Sequence, residues 1–289
     1  MKDMNSRRNK PMKHPNNFKH LFPKKNFGQH FLISATAIDS IIDHAMLDEK
    51  DVVVEIGPGL GALTEKLLSK AGRTVVIEKD KRMVAHLKNE FKKEIATNKL
   101  TIIEEDAVIF DFKKYFMPER FKVVSNLPYN VSIPILFNLY MYKEYIFQMT
   151  LMFQKEVADR IIASPGCKKF GLLSINAQIN SEIDRVIDLT PQDFYPPPKV
   201  SSTVLNFKIL DNPKFKIFDN DIFQVLLKAA FYRRRRKIIN SLESSGAFEE
   251  IDFKKMFTAL NIDPDKRAEA LSLEDFVLAE NYISNVLKD

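Results

Sequence analysis

The chain has little of what several common site chemistries require. Its single cysteine, Cys167, leaves no partner for a disulfide and no thiolate set for zinc. Cys167 follows Pro165-Gly166 in a loop, where an exposed, inert thiol is expected. The histidines at 14, 20, 30, 44 and 86 fall in no H-x-E or H-E-x-x-H grouping, so a histidine-built metal centre is not expected. Apolar stretches are strand-length and broken by charge, too short to span a bilayer. No 7–15-residue apolar core follows the first basic residues, which excludes a secretory signal. No G-x-x-x-x-G-K-[ST] occurs, which argues against a P-loop triphosphate site. What remains is a globular mixture, 45% hydrophobic and 28% charged in 289 residues. That composition excludes a disordered or collagen-like chain and points to a soluble protein of a reducing compartment.

Charge is present, but unevenly. Residues 1–25 carry Lys2, Arg7, Arg8, Lys10, Lys13, Lys19, Lys24 and Lys25 against one acid, Asp3. This arm holds +7 of a chain whose net charge is +6, so the body is close to neutral. A basic, Asn/Pro-rich arm on a neutral body points to a polyanion partner. An organelle transit peptide stays open, because the arm is acid-poor and contains arginine.

From Ser34, a candidate helix cap, the sequence alternates helical and strand patterns. Ile38, Ile41, Ile42, Ala45 and Met46 recur at helical spacing. Strands are expected at 52–56, 74–78, 100–103, 121–125 and 146–153, with helices between them. That alternation indicates a parallel, doubly wound α/β sheet of Rossmann type. Near residue 190 the pattern changes. Tyr195-Pro196-Pro197-Pro198 cannot be a central strand. One more strand is expected at 203–209, followed by helices at about 219–231, 233–244, 252–260 and 274–287. The expected division is an arm at 1–23, a catalytic domain at 24–210 and a smaller all-α domain at 211–289.

The turn after the first expected strand carries chemistry. Gly57, Gly59 and Gly61 follow Glu55 and open a helix, where the backbone can turn sharply and the helix N-terminus favours negative charge. Glu78 ends the next strand, placed to accept both hydroxyls of a ribose. Asp106 follows the third strand, placed for the adenine of the same ligand. The spacing is G-x-G-x-G, closer to S-adenosylmethionine sites than to dinucleotide sites.

Asn126-Leu127-Pro128-Tyr129 follows the fourth strand. An exocyclic adenine amine is a poor nucleophile because its lone pair is delocalised into the ring. The Asn126 side-chain oxygen and the Leu127 carbonyl can accept its two N–H bonds and localise that pair. Pro128 and Tyr129 supply a flat surface for the base. No general base need act before attack, because the nitrogen becomes acidic only once it bonds to carbon. Orientation and dipole placement are the site's main contribution.

Several segments in order carry a resemblance: Phe27–Leu32 (FGQHFL), EIGPGLGALT at 55–64, Glu78, Asp106, NLPYN at 126–130, FQKEVADR at 153–160, PPPKVSSTV at 196–204 and RRKIINSL at 235–242. The chain resembles the rRNA adenine N6-dimethyltransferase family over residues 24–289. The resemblance implies methyl transfer from S-adenosylmethionine to N6 of two adjacent adenines in a hairpin loop near the 3′ end of small-subunit rRNA. It implies cofactor contacts from His30, Leu32, Gly57, Gly59, Glu78, Asp106 and Asn126. It also implies that Phe194 stacks on the flipped adenine opposite Tyr129. The chain departs from the family pattern at His30, where Asn is more usual, and at Ser125, where Gly is common. A cytoplasmic monomer with no metal, acting on the immature small subunit, is expected.

Arg233, Arg234, Arg235, Arg236 and Lys237 place five positive charges in five residues. They are expected on a helical segment, where consecutive residues point all round the axis. Phosphate contact is the functional reading of that run, and local ion pairing the structural one. Lys168, Lys169 and Lys199 are candidates to add to it. Rival functions are an antibiotic-resistance methyltransferase acting on large-subunit rRNA and a non-catalytic assembly or transcription factor. A DNA adenine methyltransferase would show Asn-Pro-Pro-Tyr in place of Asn-Leu-Pro-Tyr.

Overall fold

A strand covered on both faces has no polar side to display, and Val52–Ile56 is buried at all five positions. The computed structural model describes residues 29–211 and 214–288; the basic arm, Phe27 and Gly28 lie outside the described residues. In chain order the first elements are β1 (Phe31–Leu32), α1 (Ala35–His44), β2 (Val52–Ile56), α2 (Ala62–Lys70), β3 (Arg73–Ile77), α3 (Lys81–Glu90), α4 (Lys92–Ala96), β4 (Leu100–Ile103), α5 (Phe112–Phe116) and β5 (Phe121–Asn126). They are followed by α6 (Ser132–Met141), β6 (Ile146–Gln154), α7 (Lys155–Ile161), α8 (Leu172–Asn180), β7 (Ser181–Leu189), β8 (Phe194–Tyr195) and β9 (Ser202–Ile209). The last four are α9 (Asn220–Ala230), α10 (Ile238–Ser245), α11 (Phe253–Ala259) and α12 (Leu273–Val286). Among the described residues no helix is long and apolar enough to cross a membrane.

The seven-stranded sheet has the order β4-β3-β2-β5-β6-β9-β7. Its first five strands run parallel, as the alternation of strands and helices requires. The sixth position corrects the all-parallel expectation, because β9 pairs antiparallel with β6, Gln154 opposite Ser202. The sheet is therefore mixed, and β9 starts at the edge where the parallel strands end. A separate two-stranded pairing joins β1 to β8, with Phe31 opposite Tyr195 and Leu32 opposite Phe194. Ser34 caps α1, accepting from the Ala37 amide at 3.4 Å.

Strand β7 was not legible in the sequence. Its nine residues, SEIDRVIDL, bury only Ser181 and Leu189, and it ends the strand order. An edge strand carrying Glu182, Asp184, Arg185 and Asp188 has little apolar alternation to read, and such charge discourages pairing with another chain.

The chain forms two compact units. One comprises residues up to Ala158 together with Ile183–Ile209; the other comprises Asp159–Glu182 and everything from Leu210. Residues 159–182 thus cluster with the C-terminal helices, which a single cut near 210 does not capture. The second unit has its own core, including Phe170, Ile175, Phe223, Leu227, Phe257 and Phe276. Its buried Glu280 accepts the Phe218 and Asp219 amides at 3.0 and 2.9 Å, so the carboxylate is not left unsatisfied.

The basic run is not helical. Residues 231–236 form turns, and α10 begins at Ile238, five residues beyond the expected start. Two buried anchors explain the correction. Phe231 and Ile238 both enter the core of this unit, and the chain must reverse between them. Helical charge periodicity yields to that packing constraint.

Candidate active site

Register assembles the site. Ile56, Ile77 and Ile103 are aligned across β2, β3 and β4, so these strands end level. The ladder continues one step further: the Gly57 amide donates to the Ile77 carbonyl and the Glu78 amide to the Ile103 carbonyl, each at 2.9 Å. Val54 faces Val123 across β2 and β5, which brings Asn126 level with Gly57. The chain runs outward through β2, β3 and β4, then returns to the other side of β2 as β5. The crevice between β2 and β5 is the topological switch point at which open α/β sheets bind ligands.

The glycine turn and the Asn-Leu-Pro-Tyr turn touch there. Gly57 has φ +65°, and a Cβ on it would lie 3.4 Å from the Pro128 ring. Gly59 has φ +56°, and a Cβ would meet the Phe31 ring at 2.8 Å. Any side chain at Gly59 would thus be strained in the backbone and would displace Phe31. Beneath the turn, Thr64 at the start of α2 donates to the buried Glu55 carboxyl at 2.6 Å. Burial is the main reason that the Glu55 pKa is pushed up to about 8; the Thr64 hydrogen bond acts downward and the charge of Glu78 adds to the rise. Glu55 is therefore largely a neutral acid at pH 7, an internal brace of the turn.

Glu78 is 7% exposed and accepts the Asp80 amide at 2.7 Å. Burial raises its pKa, against hydrogen bonds from the Asp80, Gly59 and Lys79 amides. Asp106 lies just past β4. Its Oδ1 accepts the Val108 amide at 3.0 Å and its Oδ2 accepts Lys79 at 2.6 Å. Burial acts upward on Asp106, but those bonds outweigh it and hold the carboxyl below its usual value. Lys79 was missed in the sequence, because an exposed lysine beside a strand end carries no signal of its partner.

The amide of Asn126 is oriented by a chemical constraint. Its Nδ2 donates to the His30 carbonyl at 3.1 Å, and a carbonyl can only accept, so the NH2 end of the amide is fixed. Its Oδ1 takes no hydrogen bond from any described residue and remains available as an acceptor. The His30 ring donates from Nδ1 to the Pro196 carbonyl at 2.7 Å and stacks on Tyr129, with ring centroids 5.6 Å apart and planes 25° apart. The Tyr129 hydroxyl bonds Ser202, which is buried at the start of β9. Tyr129 is thus held at both its face and its hydroxyl. Ser202 was invisible in the sequence, since only the antiparallel register of β9 delivers it to this edge. Leu127 is buried, fixing the turn between Asn126 and Pro128.

Ser125 has a definite function in the packing. Its hydroxyl donates to the Ile56 carbonyl, tying the end of β5 to the residue before Gly57. The side chain that departs from the common glycine therefore links the two turns of the site. Phe194 behaves differently from the other expected residues. It is 2% exposed and packs in the cluster of Leu32, Ile38, Ile41 and Val204, so the structure presents no open face of its ring. Leu32 is buried in the same cluster opposite Phe194.

The donor set fits an adenosyl cofactor. A close-approaching glycine backbone, a buried carboxylate bonded to that backbone and a second carboxylate at the next strand end converge on one edge of the sheet. Residues 21–285 match the family described as ribosomal RNA adenine dimethylase. The chain belongs to that family. It is an S-adenosylmethionine-dependent methyltransferase. The dimethylase is 42% identical over 259 residues to the ribosomal RNA small subunit methyltransferase A of Laribacter hongkongensis, covering 90% of this chain and 95% of that one. Its identity to the protein of the same description from Syntrophotalea carbinolica is 40% over 255 residues, covering 88% and 94%. Among solved structures, it superposes on a dimethyladenosine transferase from Plasmodium falciparum with TM-score 0.75 and 27% identity, over 89% of this chain and 98% of that one. The 23S rRNA methyltransferase ErmE has the same fold, with TM-score 0.67 and 19% identity over 88% and 99% of the two chains.

Proposed function

We propose that this enzyme dimethylates N6 of two adjacent adenines in a hairpin loop near the 3′ end of small-subunit (16S) rRNA, during maturation of that subunit in the cytoplasm. The observation that carries the mechanism is the pinned amide of Asn126, whose NH2 end is committed to His30 and whose Oδ1 is left to accept. S-adenosylmethionine supplies an electrophilic methyl group when bound, and Leu32, Gly57, Gly59, Glu78 and Asp106 are the residues that would hold it, with His30 and Asn126 beside them.

The remaining work falls to the turn. Asn126 Oδ1 and the Leu127 carbonyl accept the two N–H bonds of the adenine amine and turn its lone pair out of the ring. Their dipoles favour the positive charge that develops on nitrogen, and they are fixed before the reaction begins. Tyr129, held by His30 and Ser202, and Pro128 give the base its surface. An unpaired loop lets an adenine be splayed out to reach them. The basic residues of 1–25 and Arg233, Arg235 and Arg236 of the 231–237 loop supply phosphate contacts, and the chain acts as a monomer.

The test is methyl transfer from labelled cofactor to immature small subunits, naked small-subunit rRNA, large subunits and DNA. Dimethyladenosine in small-subunit rRNA is expected. Label confined to large subunits or DNA, or no label at all, overturns the reading.

A further inference from the structure

The loop between α9 and α10 sorts a run of charges that is uniform in sequence. Its backbone is pinned almost residue by residue. The Phe231 and Tyr232 amides donate to Leu227 and Ala229 at 3.1 and 3.2 Å, and the Arg236 amide to Arg233 at 2.8 Å. The buried Ser241 hydroxyl accepts the Arg233 amide at 3.0 Å and donates to the Ala229 carbonyl at 2.9 Å. Phe231 is buried and stacks on Phe276, with centroids 5.9 Å apart. A backbone so fixed presents its outward side chains without further ordering of the loop itself.

The side chains then divide. Arg234 turns back on the unit, donating to the Lys168 and Phe170 carbonyls at 2.9 and 3.0 Å and lying 3.5 Å from Glu269. Lys237 pairs with Asp265 at 2.8 Å. Arg235 and Arg236 are exposed and make no ion pair among the described residues. Tyr232 is 61% exposed, with the Arg233 guanidinium 5.8 Å from its ring centre.

We infer that Tyr232, with Arg233 on one side of its ring, is a stacking site for an unpaired RNA base, while Arg234 is a strut of the loop and does not contact the ligand. This rests on the reading that the enzyme works on RNA. An exposed phenol with an arginine over its ring, in a loop with two more exposed arginines, is ill suited to an apolar protein partner, because burying it would desolvate Arg233 without an anion to meet it. A nucleic acid strand meets both demands, offering a π-face to the ring and phosphates to Arg235 and Arg236. An unpaired base is specified, because paired bases in an A-form helix are already stacked on each other.

The absence of tryptophan from the chain makes the site observable. In full-length Tyr232→Trp the new indole is the sole tryptophan. Its fluorescence is expected to be quenched by an RNA hairpin with an unpaired loop, and not by inorganic polyphosphate or fully paired RNA. Tyr232→Ala is expected to weaken hairpin binding about 5- to 100-fold with the salt slope unchanged, and Tyr232→Phe to restore it. Arg235→Ala and Arg236→Ala should each flatten the salt slope by about 0.7–0.9 per lost phosphate contact. Arg234→Ala should lower the melting temperature and leave that slope as it was. Equal quenching by polyphosphate, or wild-type hairpin affinity in Tyr232→Ala, overturns the stacking site. Arg234→Ala that flattens the slope at unchanged melting temperature overturns the strut. Methylation of small subunits by the wild type separates these failures from failure of the proposed function: activity with an indifferent Tyr232 removes only the stacking site, whereas no binding to any RNA removes both.

Discussion

The turn at 126–129 and the loop at 231–237 handle polar groups in opposite ways. In the first, nearly every polar atom has a committed partner within the sheet unit: Asn126 with His30, Tyr129 with Ser202, and Ser125 with Ile56 just before it. What is left over is a pair of acceptors, the oriented Asn126 Oδ1 and the Leu127 carbonyl. In the second, the backbone and Arg234 are committed, while Tyr232, Arg233, Arg235 and Arg236 are turned outward. Chemistry on a small group calls for a few dipoles fixed closely in place, because a misplacement of about 1 Å can cost about a hundredfold in rate. Holding a long polyanion calls for several charges whose effect is summed and screened by salt. The same protein therefore uses rigid scarcity in one unit and exposed abundance in the other.

The widest break in that comparison is expected from Asn126→Ala. Single-turnover methylation at saturating cofactor should slow about 100- to 1000-fold, roughly 2.7–4 kcal/mol, by analogy with loss of one fixed dipole from an oxyanion hole. Binding to the ribosomal particle and its salt slope should not change. A near-normal rate would mean that the turn does not depend on its oriented acceptor.

Glu78→Ala comes next. If Glu78 accepts the ribose hydroxyls as proposed, its removal should weaken S-adenosylmethionine binding about 10- to 100-fold, as expected for hydrogen bonds to a charged group. Calorimetry reads it at any salt concentration, because these are short-range bonds in a buried setting. Equal affinity at equal thermal stability would remove Glu78 from the site.

Ser125→Ala sharpens the comparison by leaving the buried Ile56 carbonyl without its donor. The expected loss is about 1–3 kcal/mol of stability, read from denaturant unfolding midpoints. If Ser125 ties the two turns together, cofactor affinity should fall as well. Unchanged stability and affinity would leave Ser125 as mere filling.

The last expected effect is one of pH. Folding raises the Glu55 pKa from 4.5 to about 8. Between those values the folded state holds a proton that the unfolded state has released, so stability falls as pH rises through that window. Above about pH 8 this contribution no longer changes. Glu55→Gln keeps an acceptor for Thr64 without the titration, so its unfolding midpoint should depend less on pH between 5.5 and 8. An identical pH slope in the two proteins would show that Glu55 is already ionised in the fold.

Much of the candidate site's edge was legible because its residues punctuate the chain. Gly57, Gly59 and Gly61 occupy left-handed conformations that other residues rarely adopt, so their clustering after a buried strand marks a turn with a purpose. Asn126-Leu127-Pro128-Tyr129 is marked in the same way. Lys79, Thr64 and Ser202 were not legible, because each owes its position to a partner 27, 9 or 73 residues away. Phe194 shows the converse: the family resemblance implies a stacking face there, while the ring, on a strand paired with Leu32, packs in the core.

The sequence by itself determined the elements, through hydrophobic period and backbone punctuation, and with them the order of chemistry along the strand ends. These are local properties, set by which conformations a residue can adopt and which face it must bury. Tertiary structure alone decided which charges face solvent, which hydroxyls brace the site and where β9 begins. Pairing direction and packing are relations between distant segments. Five neighbouring basic residues are alike until carbonyls at 168 and 170 claim one of them and an acid at 265 claims another.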